Sequence, residues 1–180
     1  MTRVSHLLLA AAPLGLLAAY AAPAQVRHDS NAPIDFSAQS IELQDRANRA
    51  ILTGGVTIRQ STMTLTANRV TVLYTGQITS GSPQASRLDA AGDVTVTRPD
   101  QTAKSNFAVY DVKRRVVTMI GNVSLTQGTN RLRGGRLTID LDTGRAVIDG
   151  SGVASSSGSA GGVQQQGGRV SGTFSVPKRD

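Results

Sequence analysis

A short motif occurs three times in the chain: glycine, then glycine, aspartate or asparagine, then valine, a hydroxyl residue and an aliphatic one. It appears in LTGGVTI (52–58), AAGDVTV (90–96) and MIGNVSL (119–125). A second pattern, small-x-x-aliphatic-x-aliphatic, aligns AQSIEL (38–43), ANRVTV (67–72), SNFAVY (105–110) and GGRLTI (134–139), with start points separated by 29, 38 and 29. The surplus of 9 in the middle step falls in TGQITSGSPQ (75–84), a Gly/Ser/Pro-rich loop. The two patterns alternate: Ile41 to Val56 and Ala108 to Val123 are each 15 apart, and Val70 to Val94 is 15 plus the same 9. A unit of 29 residues with one loop insertion therefore accounts for the chain from 38 to 139. A period of that size marks one supersecondary element per unit, which buries its apolar face by stacking on its neighbours.

The units are β-structure. Apolar residues alternate with polar ones, as in Met63, Leu65 and Ala67 and then Val70, Val72 and Tyr74, and Thr and Val dominate. Polar clusters such as RQST, TRPDQT, DVKRR, TQGTN and DLDTG delimit about eight segments of roughly ten residues, and the short connections favour an antiparallel meander. The Gly-Gly, Gly-Asp and Gly-Asn pairs also resemble two-residue hairpin turns. Register separates the readings. A turn at Gly54-Gly55 makes Thr53 oppose Val56, and in the next copy puts Asp89 and Ala91 on the face of Val94 and Val96. A strand running straight through instead gives inward sets Ala50, Leu52, Val56, Ile58; Leu88, Ala90, Val94, Val96; and Val117, Met119, Val123, Leu125. Every inward position is then apolar, so Gly54, Gly92 and Gly121 are expected to be bends within continuous strands. In the alternate segments the apolar phase slips between Ala67 and Val70 and between Leu132 and Leu137, and a bulge is expected near Asn68-Arg69 and near Gly134-Gly135. Strands that all bend at mid-length stack into a long trough whose aliphatic faces confront each other, with no device that closes it and free edges at both ends.

The ends of the chain differ from the middle. Arg3, the apolar run Leu7 to Ala19 and Ala22-Pro23-Ala24 read as a cleavable secretory signal over 1–24. The apolar run is about a dozen residues, short of the roughly 20 needed to span a bilayer as an uncleaved anchor. Residues 25–34 read as a flexible lead-in, 35–150 as one domain, and 151–180 as a Gly/Ser/Gln-rich flexible tail with a short edge strand at 169–177. With no cysteine, burial alone must hold the domain together. Losing Arg3 takes the formal charge from +7 to +6. A basic exported protein points away from nucleic acid and toward anionic surfaces or phosphorylated envelope molecules.

Only 3% of the chain is aromatic, so the trough is aliphatic, and aliphatic linings suit alkyl chains. The expected lining is Ile41, Leu43, Leu52, Val56, Ile58, Leu65, Val70, Val72, Leu88, Val94, Val96, Met119, Val123, Leu125, Leu132, Leu137 and Ile139. The runs GNVSLTQGTNRLRGGRLTIDLDTGRAVIDG (121–150) and LTGGVTIRQSTMTLTANRVTV (52–72) resemble the OstA-like, LptA-type domain family of periplasmic lipopolysaccharide-transport bridge proteins, over about residues 35–150. The 75–84 loop and the Gly/Gln tail depart from it. The resemblance implies an all-β, folded-over antiparallel β-jellyroll that stacks head to tail as a homo-oligomer by edge-strand pairing. It implies lipopolysaccharide as ligand, lipid A acyl chains inside, and edge-strand partners in an inner-membrane anchor and an outer-membrane translocon. Headgroup phosphates would then meet Lys104, Lys113, Arg114, Arg115, Arg131, Arg133 or Arg136, with Lys113, Arg114 and Arg115 the favoured cluster.

Other functions find little support in the residues. His6 lies in the signal segment and His28 in the lead-in, no cysteine is present, and no Ser/His/Asp set is placed by strong elements, so neither catalysis nor a cofactor is expected. DLDTG (140–144) lacks the later ligands of a calcium loop, and NVS (122–124) falls within a strand, so no metal is expected. Two alternatives keep the β-architecture: the membrane-anchored partner of the same transport system, and a structural or adhesive β-repeat protein of the envelope.

Overall fold

The computed structural model describes residues 28–76 and 83–150 and the backbone of 171–173. The signal segment 1–24 and most of the 151–180 tail lie outside the described residues. Six long strands form the body: β3 (Arg49–Gln60), β4 (Met63–Thr75), β5 (Gln84–Arg98), β6 (Gln101–Asp111), β7 (Val116–Gln127) and β8 (Asn130–Asp140). They follow one another across a single antiparallel sheet in chain order. Four short strands border them. β1 (Asp35–Ser37) and β2 (Ser40–Gln44) share the outer edge of β3, while β9 (Ala146–Asp149) and β10 (Ser171–Thr173) share the outer edge of β8. The sheet is not closed; it is the folded-over, jellyroll-like trough that the alternation and the bent-strand register predict.

Each long strand crosses a crease at mid-length. Gly54, Gly92 and Gly121 have φ of 81°, 79° and 81°, and the next residues, Gly55, Asp93 and Asn122, have φ of 54°, 48° and 49°. The second position is left-handed, a conformation that Gly, Asp and Asn tolerate far better than other residues. That restriction explains why the motif reads Gly-[Gly/Asp/Asn]-Val. The register shifts by one residue here: β3 places Gly54 and Gly55 against the single Asn68, and β7 places Gly121 and Asn122 against the single Gly135. The bulge expected near Asn68-Arg69 and Gly134-Gly135 is thus displaced. The extra residue belongs to β3, β5 and β7, and the even-numbered strands turn the crease without one. Asn68 and Arg69 both face outward at the crease, which produces the phase slip from Ala67 to Val70.

Folding along the crease presses the two leaves together. Their inward residues form one aliphatic core, with Leu52, Val56, Leu65, Val70, Leu88, Val94 and Met119 all buried, and with Tyr110 the largest side chain in it. Burial of this kind stabilises by about 25 cal/mol per Å² of apolar surface, and in a chain without cysteine it carries the fold.

The lead-in is corrected from residue 28 onward. Residues 28–34 are not loose: they turn back across the leaf tips, with His28 and Ser30 buried and Ala32 N donating to Asp29 O at 3.2 Å. Polar composition masks this order, because residues 28–32 are held by hydrogen bonds to distant residues, with Ile34 packed against the core beyond them.

Candidate functional site

The predicted lining residues divide into two groups. Val56, Ile58, Leu65, Val70, Leu88, Val94, Val96, Met119, Val123, Leu125, Leu137 and Ile139 are buried in the core, as is Leu52. Val72 and Leu132 are half-buried, while Ile41 and Leu43 stay 47% and 56% exposed. The middle and far parts of the trough are therefore filled by their own side chains. Space remains at the β1/β2 end.

There a cavity of about 670 Å³ opens between the leaves, within the roughly 300–1,000 Å³ typical of small-molecule sites. Its shape follows from register. Phe36 pairs with Ile58, and Ile58 with Leu65, so Phe36 heads an inward apolar row on one leaf. Leu43 pairs with Ala50, and Ala50 with Val72, which heads a matching row on the other leaf. Ala50 and Ala85 are too small to fill the gap, and the rows end at an edge that no further strand covers among the described residues. Phe36 is consequently 55% exposed, and with Leu43 it forms an apolar lip, while Ile41 lies outside the lining. Phe36, Ala85 and Val112 were not among the predicted lining residues. The inward parity of Phe36 could have been found by extending the Ile58 row one strand outward. The contribution of Ala85 and Val112 depends on which leaf tips meet, which no local pattern encodes.

The leaf tips are closed by polar contacts. Tyr110 Oη donates to Gln60 Oε1 at 2.6 Å, and Gln60 Nε2 donates to the carbonyls of Ser30 and Ala32, both at 3.0 Å. Burial raises the Tyr110 hydroxyl above its ordinary pKa, so it remains a donor. Ser30 Oγ donates to Asp142 Oδ1 at 2.8 Å, and Arg115 spans Asp142 Oδ2 (2.9 Å) and Asn31 Oδ1 (2.8 Å). The hydrogen bonds from Arg115 and then Ser30 hold the Asp142 carboxyl below its ordinary pKa. Burial, followed by the positive charge of Arg98, lowers that of His28. The segment 28–32 is thus a strap that pins one leaf tip to the other and forms the inner wall of the cavity.

The favoured basic cluster is split by this arrangement. Lys113 and Arg114 are exposed on the β6–β7 turn. Arg115, half-buried with φ of 58°, is committed to Asp142 and Asn31. Lys104, Arg131 and Arg133 lie on the outer face of the other leaf, and Arg136 stands opposite Asp149. The three sets do not converge.

Comparison with known proteins places this geometry among relatives. Residues 35–145 match the family described as LptA/(LptD N-terminal domain) LPS transport protein. An uncharacterized protein of Rhizobium meliloti (strain 1021) is 31% identical over 124 residues, covering 67% of each chain. The fold is similar to the crystal structure of LptH, the LptA homologous periplasmic component of the conserved lipopolysaccharide transport device from Pseudomonas aeruginosa, with a TM-score of 0.65 and 20% identity. That likeness covers 83% of this chain and 99% of the other. The bent-strand trough and the match across its whole body together establish that this chain belongs to the LptA/LptD N-terminal domain family of lipopolysaccharide transport proteins.

Proposed function

We propose that the chain is a periplasmic bridge protein that binds lipopolysaccharide with its acyl chains entering the trough through the cavity at the β1/β2 end. The observation that carries this reading is the apolar lip of Phe36 and Leu43, left exposed around a cavity between two aliphatic faces. Each methylene withheld from water is worth about 0.8 kcal/mol, so a chain of ~12 carbons exposed to the periplasm costs roughly 10 kcal/mol. A lining of interchangeable aliphatic contacts offsets that cost without fixing one pose, which suits a ligand that must move on. Export by the 1–24 signal brings the chain to that compartment. Lys113 and Arg114, free at the β6–β7 turn, serve headgroup phosphates.

In the same reading the short edge strands join neighbours: copies of this chain head to tail, an inner-membrane anchor at one end and an outer-membrane translocon at the other. Acyl binding is tested by filling the cavity. Ala50→Trp places a large ring where Leu43 and Val72 leave room. Lipopolysaccharide binding, measured by displacement of a fluorescent fatty-acyl probe, should fall about tenfold or more with the melting temperature retained. Full affinity in a folded Ala50→Trp protein removes the cavity from the account.

A further inference from the structure

The outer face of the leaf built from β1, β10 and the crease-to-tip halves of β3 to β8 carries two rows of polar side chains. One row runs Thr57, Thr66, Thr95, Lys104, Ser124, Arg133 through directly paired positions. The other runs Arg59, Thr64, Thr97, Thr102, Thr126, Arg131. The hydroxyl residue after each Gly-x-Val motif, Thr57, Thr95 and Ser124, falls in the first row. Alternation alone accounts for hydroxyls on a solvated face. It does not account for three cations gathered at one end.

Lys104, Arg131 and Arg133 surround a shallow pocket of about 200 Å³ whose remaining walls are Thr102, Ser124 and Thr126. Carboxylates accompany other strand cations of the sheet: Arg87 is ion-paired with Asp89 at 2.7 Å, Arg59 stands opposite Asp35, and Arg136 opposite Asp149. Neither row has a carboxylate near this pocket; the nearest along them, Asp35, is at the opposite edge of the sheet. Like charges on adjacent positions of one strand face repel each other. Arg131 and Arg133 are two residues apart, about 7 Å, and Lys104 lies two strand spacings, about 10 Å, from Arg133. Side chains of that length can converge on one anion, with hydroxyls between them as further donors. The pocket is smaller than the roughly 300–1,000 Å³ of drug-sized sites, and it suits a single small, highly charged group.

We infer that Lys104, Arg131 and Arg133, with Thr102, Ser124 and Thr126, form a binding site for a phosphate ester or diphosphate on the outer face of the trough. It is separate from the acyl cavity and does not rest on it. A phosphate dianion relieves the repulsion among the three cations and accepts from the hydroxyls. The group could be carried by a soluble phosphosaccharide or by a lipid headgroup, since both present the same oxygens.

The test is a titration of the full chain with inorganic pyrophosphate at constant ionic strength, followed by amide NMR shifts. Saturable shifts at the six pocket residues are expected. Arg131→Gln/Arg133→Gln should weaken binding about tenfold or more, and Arg59→Gln, on the same face at the opposite edge of the sheet, should leave it unchanged. Should the double variant not fold, Lys104→Gln replaces it, with the same expected direction. A phosphorylated hexosamine and vesicles containing phosphatidic acid are then competed against pyrophosphate. Stronger displacement by the sugar assigns the site to a phosphosaccharide, and stronger displacement by vesicles to a lipid headgroup. Non-saturating shifts spread over all exposed cations, unchanged binding in the variants, or displacement by neither competitor would overturn the site.

Discussion

Tyr110 Oη and Gln60 Oε1 lie 2.6 Å apart in the buried interior and join β6 to β3, two strands that are not neighbours in the sheet. No ladder hydrogen bond can connect such strands; only the folding of one leaf onto the other brings them together. Gln60 extends the contact to the strap through the carbonyls of Ser30 and Ala32. One side chain therefore couples leaf closure to the wall of the cavity.

Tyr110→Phe removes the donor and leaves the buried Gln60 Oε1 unpaired. A buried acceptor without its partner costs about 1–3 kcal/mol. Urea denaturation should show a loss of that size with an unchanged m-value, because the trough still forms. A midpoint equal to the parent's would show that the bond contributes nothing to closure.

The crease makes a second prediction. A Cβ at Gly92 would lie 2.8 Å from Asn68 Nδ2, in a backbone with φ of 79°. Gly92→Val combines that clash with a conformation β-branched residues avoid, and should destabilise by at least about 2 kcal/mol. Asp93→Asn keeps a residue suited to φ of 48° and should shift stability by no more than roughly 0.5 kcal/mol. Thermal melts of the two variants check both outcomes, and a Gly92→Val protein melting with the parent would contradict the crease geometry.

Much of this fold is readable from the sequence, because the constraint is local and repeated. Apolar parity across Gly54, Gly92 and Gly121 excludes hairpins, and the left-handed position explains the Gly, Asp or Asn that follows. Two features were hidden. The strap at 28–32 looks like any polar leader, since its partners Gln60, Arg115 and Asp142 lie far along the chain. The cavity depends on alanines at 50 and 85 meeting an uncovered edge, and small residues at inward positions look the same in sequence whether they are packed against or left open. Ile41 and Leu43 have the inward parity of the core strands, yet their place at the edge leaves them exposed.

The strap should also respond to pH. Burial and the charge of Arg98 lower the pKa of His28 from its ordinary 6.5, against smaller opposing effects of the Gln60 side chain, Asp29 and Asp142. The unfolded chain then binds the proton more readily than the folded one, so the contribution of neutral His28 is complete above pH 6.5 and is lost as the pH falls below it. Urea midpoints should drop between pH 7.5 and pH 5.5 in the parent, and His28→Leu should flatten that drop. An equal drop in both proteins would place the sensitivity elsewhere.

The basic turn separates into two behaviours. Lys113→Ala/Arg114→Ala should weaken lipopolysaccharide binding several-fold and lessen its salt dependence, with stability unchanged. Arg115→Ala should instead lower the melting temperature, because it unties Asn31 of the strap from the β6–β7 turn and takes one of two partners from Asp142. Equal effects of the two changes on both readouts would remove the distinction.

The most direct measurement of the account is photocrosslinking of lipopolysaccharide from single positions of the chain. A photoreactive residue at Phe36 or Leu43 sits on the cavity lip, and one at Thr95 on the outer face of the same sheet. Capture of acyl chains from Phe36 and Leu43 with little from Thr95 is the predicted result. Equal capture from all three, or capture from Thr95 alone, would contradict acyl chains held between the leaves.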